Sequence, residues 1–200
     1  MVNRKALVFA SAMLLVGLIL GSFTVSSIIS TEAQDTATTA PDMRMYLRLD
    51  NIQGESTDRN HENWIDIIAF NWTEAMNSFL GGILTGNVKI GDFTFFAHTS
   101  KASPKLFLAA AIGTVMPLSV LECWTPIGDG GQVEFLEFRF DNAIIASYNI
   151  AANATDYRPM DQFSITFSRI RMTYWTIQAD GTQGSMTTAW YDLGKRQGGQ

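Results

Sequence analysis

The sequence has little positive charge and no motif of a familiar enzyme. Its 14 lysines and arginines are scattered and outnumbered by 19 aspartates and glutamates, which leaves a formal net charge of −5. A nucleic-acid binder needs a clustered basic face, so that class is excluded. A phosphate-binding loop and a Gly-x-Ser-x-Gly nucleophile motif are also missing. We therefore expect a non-enzymatic protein without a cofactor.

Cysteine and histidine are scarce too. Cys123 is the single cysteine, which excludes an intrachain disulfide, and its apolar strand-like surroundings predict a buried small side chain. A metal site at His61 would need a second histidine or a spaced set of carboxylates. His98 is the other histidine, and the run 58–62 lacks the glycine and distal glutamate of a calcium loop. We expect no metal, and we interpret carboxylate pairs such as Glu134 with Glu137 as solvated.

The first 42 residues differ from the rest of the chain. Arg4 and Lys5 precede an uncharged, mostly apolar run over 6–31, which is typical of a signal peptide. A run of about 20 apolar residues can also span a bilayer, so a retained anchor is the alternative. We predict an export segment over 1–33 with cleavage favoured, a flexible tether over 34–42 and one domain over 43–200. The domain would then be extracellular or on the cell surface, with no membrane contact except through the export segment.

The predicted domain is mainly β. β-branched and aromatic residues at period two predict strands over 45–49, 65–72, 93–99, 118–124, 133–140, 143–150, 163–170, 172–179 and 186–193. One helix is predicted, with Ser103 as N-cap, Pro104 at the first helical position and Gly113 at the end. It is apolar nearly all round, which indicates burial on most sides. These elements favour a small antiparallel β-barrel or sandwich with one packed helix.

The predicted strand over 65–72 is apolar on both faces, unlike the other strands. A strand of this kind needs a cover on its outer side, which the helix or a second subunit could provide. The sequence does not distinguish these two covers.

Three pieces of sequence together resemble one known family. They are Gly54-Glu55 followed by His61 and Trp64-Ile65, then Ala-Ser-Pro-Lys-Leu at 102–106, then Phe-Ser-Ile-Thr-Phe-Ser-Arg-Ile at 163–170. In this order they resemble the haemolysin-coregulated protein (Hcp) family, the tube protein of the type VI secretion system. The likeness covers most of 45–192 and is broken over 77–91.

The resemblance implies a fold, a role and partners. Members are similar to a small β-barrel with one helix, and they form hexameric rings that stack into a tube. The partners it implies are copies of the same chain, with small effector cargo and a spike protein by family analogy. It also implies that the loop between the first two strands reaches a neighbouring subunit. The candidate contact residues in this loop are Gly54, Glu55, Asp58, His61 and Trp64.

The export segment departs from the family pattern, since tube proteins of this kind are made in the cytoplasm. An exported relative that builds an extracellular tube, ring or filament fits both observations. The alternative is a monomeric secreted β-domain that binds glycans or another cell-surface ligand through its tryptophans. The tryptophans are Trp64, Trp72, Trp124, Trp175 and Trp190. Asn153, in a predicted turn, and Asn71, in a predicted strand, are candidate glycosylation sites.

The export interpretation can be tested by charge insertion. Leu15→Arg with Leu18→Arg places two charges in the middle of the apolar run, and each costs about 2.5–3.5 kcal/mol on insertion scales. We expect the double variant to remain in the cytoplasm, as measured by cell fractionation. N-terminal sequencing of wild-type extracellular material should start after Ala33 if the segment is cleaved. Wild-type protein confined to the soluble cytoplasm would contradict the export interpretation.

Overall fold

The computed structural model describes residues 43–76, 79–80, 83–84 and 88–200. The predicted export segment and tether lie outside the described residues and stay predictions. Among the described residues, no helix has the length and apolar character needed to cross a membrane.

The described residues form fourteen strands, one α-helix and a short 3-10 turn over Gly128–Gly130. The elements are β1 (Arg44–Arg48), β2 (Ile65–Ile67), β3 (Ala69–Asn71), β4 (Glu74–Met76), β5 (Phe79–Leu80), β6 (Ile83–Leu84), β7 (Val88–Ile90), β8 (Phe93–His98), α1 (Ser103–Ile112), β9 (Val115–Pro126), β10 (Gln132–Ala151), β11 (Met160–Thr166), β12 (Arg169–Ile177), β13 (Gln183–Asp192) and β14 (Gln197–Gly199). The predicted class, mainly β with one packed helix, is confirmed.

Strand β10 is the longest element and organises the large sheet. Its first part pairs with β9 on one edge and with β12 on the other, and its second part pairs with β11. All of these ladders are antiparallel. The sequence predicts two strands, 133–140 and 143–150, where the structure has one. The chain passes through Asn142 with a positive φ of 51° and stays paired on both sides of it.

Two arms of sheet leave β10 and meet again at β2 and β3. One arm runs from β10 through β9 and β1 to β2, and the other runs through β11 and β8 to β3. The strands β12, β13 and β14 extend from the first part of β10 as a separate wing. The sheet is not closed as a barrel, and the fold is sandwich-like.

The predicted single strand over 163–170 is wrong at its end. β11 stops at Thr166 and β12 starts at Arg169, because both strands pair with β10 along successive stretches of it. The Ser168 N–H at the junction donates to the Asp141 carbonyl, 2.9 Å away. The chain thereby steps from one stretch of β10 to the next.

The core lies between the two arms and is rich in phenylalanine. Phe93, Phe95, Phe140 and Phe163 have no exposed surface. The ring centroids of Phe93 and Phe95 lie 5.0 Å apart, and those of Phe95 and Phe163 lie 5.3 Å apart. Full burial of one such side chain stabilises the fold by about 1.5–3 kcal/mol. Cys123 also lies in this core, as predicted, and burial raises the pKa of its thiol to about 12.

Strands β2 and β3 explain why 65–72 is apolar on both faces. Ile65 and Ile67 are buried, but the alternation breaks at Ile68, which is 43% exposed. After the break it is Phe70 and Trp72 that pack against the core. The residues that face the core therefore change from odd to even positions at one bend. For this reason, part of the apolar pattern over 65–72 needs no cover from outside the sheet.

Helix α1 differs from its prediction at both its start and its outer face. The N-cap position is Ala102, and no side chain caps the helix. Ser103 is the first helical residue, followed by Pro104, so the predicted cap is wrong by one residue. Only one face of α1 is buried, through Ser103, Leu106 and Ala109. Its end at Gly113, which adopts the left-handed conformation, is as predicted.

A pair of leucine variants tests the one-sided burial of α1. Leu106 is fully buried and Leu108 is 53% exposed. We expect Leu106→Ala to lower the free energy of unfolding by about 2–5 kcal/mol, because it leaves a cavity. Leu108→Ala should change it by no more than about 0.5 kcal/mol. Equal losses in chemical denaturation would contradict the one-sided helix.

Candidate functional site

The loop between β1 and β2, residues 54–63, is folded back on itself. The Gly54 N–H donates to the Asn63 carbonyl at 2.7 Å, and the Ser56 N–H donates to the Trp64 carbonyl at 3.0 Å. A Cβ on Gly54 would lie only 2.2 Å from the Trp64 carbonyl oxygen, so this position requires glycine. The loop is therefore part of the folded unit and not a loose arm.

His61 fastens this loop to the sheet. Its side chain is 1% exposed, with Nδ1 2.6 Å from an Asp58 carboxylate oxygen and Nε2 2.9 Å from a Glu122 carboxylate oxygen. Both ring nitrogens thus face carboxylate oxygens, one within the loop and one on β9, and these two contacts join the loop to β9.

Aromatic rings enclose the His61 imidazole. Tyr46 of β1 stacks on it with ring centroids 4.0 Å apart and an angle of 5° between planes. Trp64 and Trp124 meet the imidazole edge-on at 4.9 and 5.1 Å. These three ring contacts fix the orientation of the imidazole.

Asp58 also ties the loop to β10. Gln132 donates to its second carboxylate oxygen at 2.8 Å. Burial acts to raise the pKa of the Asp58 carboxyl, but hydrogen bonds from His61, the Asn60 N–H and Gln132 outweigh burial and lower it. Asp58 therefore stabilises the fold at neutral pH, and that stabilisation is lost only in acid, as pH falls through the lowered value.

Three glutamates on the same side of the sheet form an acidic cluster. Carboxylate oxygens of Glu122, Glu134 and Glu137 lie within 4.8 Å of one another. The Glu122 carboxylate contacts His61 Nε2 and accepts a hydrogen bond from the Trp124 indole N–H. The Glu137 carboxylate forms an ion pair with Arg139 Nε at 2.9 Å. Two of the three carboxylates therefore have partners within the chain. The interpretation of Glu134 and Glu137 as solvated is wrong, because Glu137 is 7% exposed and Glu134 is half-buried.

A second buried carboxylate fixes helix α1. Asp161 on β11 is 1% exposed and accepts hydrogen bonds from the Ser103 hydroxyl at 2.5 Å and the Tyr148 hydroxyl at 2.9 Å. Burial, then the hydrogen bond to Asp161 and its negative charge, raise the pKa of Tyr148 to about 12. Ser103 does not cap the helix because its hydroxyl points to Asp161 and accepts from the Ser100 N–H. Asp161 therefore links α1, β10 and β11.

Two apolar surfaces stay exposed on the described part of the chain. The helix patch lies on α1 and the start of β9 and consists of Phe107, Leu108, Ile112 and Val115, between 51% and 67% exposed. The wing patch consists of four apolar side chains of β12 and β13, Met172, Tyr174, Ile177 and Met186, which are between 41% and 59% exposed. Met172 and Tyr174 lie on one face of the wing, and Met186, which pairs with Trp175, lies on the other face. Sequence reasoning missed the wing patch, because alternation predicts a buried face without showing that the wing leaves the core.

Comparison with known proteins identifies the family. Residues 46–174 match the family described as type VI secretion system effector, Hcp. The chain belongs to the Hcp family. It is similar to the protein hcp1 of Pseudomonas aeruginosa, with 24% identity over 142 residues, 70% of this chain and 87% of that protein.

Solved structures agree on the fold. A type six secretion system protein superimposes with a TM-score of 0.73 at 24% identity, over 79% of this chain and all of that one. A type VI secretion system effector from Yersinia pestis superimposes with a TM-score of 0.61 at 26% identity, over 74% of this chain and 98% of that one. The fold, and with it the predicted resemblance, is confirmed.

The predicted contact residues of this Hcp chain differ in their exposure to solvent. Gly54 and His61 face inward and Asp58 and Trp64 are half-buried, whereas Glu55 is exposed and accepts a hydrogen bond from the Lys101 N–H at 2.8 Å. Their role in subunit contact stays a prediction. Because His61 is buried, this loop also contributes to the folded core. Asn71 and Asn153 are both exposed, and their glycosylation also stays a prediction.

Two glycine variants test the folded loop. Gly54→Ala forces a Cβ into the backbone of Trp64 and Ile65, and we expect it to lower the free energy of unfolding by about 1–3 kcal/mol. The control, Gly128→Ala, has no atom within 4 Å of the added Cβ and should change stability by about 0.5 kcal/mol or less. If urea unfolding gives Gly54→Ala the same free energy of unfolding as wild type, the close contact between Gly54 and the Trp64 backbone is contradicted.

The acidic cluster predicts a pH dependence. Burial, then Glu122 and Glu137, raise the pKa of Glu134 from its ordinary 4.5 to about 7. The folded state therefore binds the extra proton, so stability is lost as pH rises from 4.5 through about 7. At acid pH the melting temperature of Glu134→Gln should be close to that of wild type. Towards pH 8 it should rise increasingly above the wild-type value. The control Glu74→Gln, at an exposed position, should follow wild type, and parallel melting curves for all three would contradict the raised value.

Proposed function

We propose that this Hcp chain is an exported structural subunit that assembles with copies of itself into hexameric rings, and that the rings stack into a tube. Family membership supports a structural role rather than catalysis. The observation that carries the proposal is the presence of two separate exposed apolar patches on one folded chain.

The positions of the patches favour association from head to tail. The wing pairs with Leu136–Asp141 in the first part of β10, whereas the ring of Phe107 in the helix patch contacts Tyr148 in the second part. Two different surfaces on one chain suit heterologous contacts, which close into a ring when the rotation between copies permits it. A single patch would instead favour a two-fold dimer.

The exposed side chains of the loop 54–63 can add polar contacts around the apolar ones. Glu55, Arg59, Asn60 and Glu62 face solvent while the His61 network holds the backbone in place. A rigid loop loses little conformational entropy on binding, so it suits an interface. Within the proposal, a lumen that carries small effector cargo and a ring face that meets a spike protein follow by family analogy, and export relies on residues 1–33.

The tryptophans give little support to the alternative, a monomeric glycan-binding domain. All five are half-buried. Trp72 stacks on Phe93, Trp190 lies under Arg169, and Trp64 lies under Arg48. A sugar platform needs an accessible aromatic face, and these faces already have partners within the chain.

Light scattering and negative-stain microscopy of the full-length chain test the proposal. We expect wild type to form rings of six copies. Leu108→Glu and Met186→Glu place a charge in the helix patch and the wing patch, and each should yield monomers with an unchanged circular dichroism spectrum. Ala152→Glu, a matched change at an exposed turn, should leave the rings intact. A wild-type chain that stays monomeric at all concentrations would contradict the proposal.

A further inference from the structure

Three arginines gather on the sheet face that points away from the core. On β10, Arg139 lies between the buried Phe138 and Phe140, so it points to the opposite face. Arg171 on β12 is its direct cross-strand partner, and Arg169, two residues earlier, is opposite Asp141. The three arginines, with Leu118 and Asp141, line a pocket of about 110 Å³.

The charged side chains that line this pocket are three arginines and one aspartate. Arg139 is paired with Glu137, and Asp141 lies among the arginines without an ion pair to them. Among the described residues Arg171 has no ion pair or hydrogen bond to a side chain. On the other side of Arg169, Asp192 of β13 is its direct cross-strand partner and forms an ion pair with Lys195. Like charges directly opposite on neighbouring strands destabilise a sheet, so this arrangement calls for an anion.

A buried donor in the same pocket lacks a partner. The Nε atom of Arg169 is buried and has no hydrogen-bond acceptor among the described residues. The guanidinium is held over the Trp190 ring, 4.3 Å from its centroid, so it cannot easily turn to find one. A buried polar group left unpaired costs free energy, which an oxygen atom from outside the chain would recover.

We propose that this pocket binds an oxyanion, a phosphate or carboxylate group, through Arg169 and Arg171. Guanidinium groups present planar forks of N–H donors that match both groups in geometry and charge. Two sources share this chemistry: a small anion free in solution, and an acidic side chain of another copy in the assembly. The first is independent of the proposed function, and the second rests on it.

Inorganic phosphate titrated into the full-length chain by calorimetry at low salt tests the site. We expect one saturable site per chain in wild type. Arg171→Gln should weaken binding about tenfold or more, since hydrogen bonds to charged groups are among the stronger ones. Arg171→Lys, which keeps the charge but loses the fork, should bind at an intermediate level. Arg59→Gln removes one positive charge from an exposed loop position and should bind as wild type.

Light scattering of the same variants distinguishes the two sources. If phosphate disperses the assembly and Arg171→Gln alone fails to assemble, the anion is a carboxylate of another copy. If Arg171→Gln assembles normally but does not bind phosphate, the anion is free in solution. The proposal is overturned if wild type shows no saturable phosphate binding, or if Arg59→Gln weakens it as much as Arg171→Gln does. Arg171 is exposed, so the variants should fold, which circular dichroism checks.

Discussion

Antiparallel pairing along both edges of β10 is the constraint on which the rest of this structure depends. One 20-residue strand carries β9, β12 and β11, so its register decides which residues of three other strands meet the core. A shift by one residue would turn Phe138 and Phe140 outward and Arg139 inward. The irregularity between Ile145 and Ser147 changes the pairing with β11 locally without ending the strand.

Buried polar groups then attach the irregular segments to this frame. His61 holds the loop 54–63 to β9 through Glu122, and Asp161 holds α1 to β10 and β11 through Ser103 and Tyr148. His61 and Asp161 are each 1% exposed, and a hydrogen bond is stronger in such buried surroundings than in water. The loop and the helix therefore present their outer side chains on rigid supports, which is what a self-assembling surface requires.

Much of the fold was predictable from local pattern. The alternation in β1, β8 and β13 located those strands to within a few residues. The family resemblance rested on short pieces such as 102–106, and comparison with known proteins confirms it.

The remaining features depend on contacts between residues far apart in the chain. The residues around His61 in the sequence do not show that Glu122, 61 residues later, lies 2.9 Å away, so the attachment of this loop to β9 was not predicted. The sequence predicts burial of the helix on most sides, because composition does not tell which face meets β10. Ser103 was expected to cap the helix. Its hydroxyl instead bonds to Asp161, which is 58 residues away and therefore not visible as a partner in the local sequence. The arginine pocket likewise exists only through the register of β10 with β12.

The central claim is that the helix patch and the wing patch become buried between copies of this chain. Hydroxyl-radical footprinting of the full-length protein, compared at dilute and assembled concentrations, tests this most directly. Met186 and Phe107 are 59% and 60% exposed in the single chain and should be modified when dilute but protected on assembly. Tyr157, at 91% exposure and outside both patches, should be modified equally in both states. Unchanged modification of Met186 and Phe107 in the assembled protein would contradict the account.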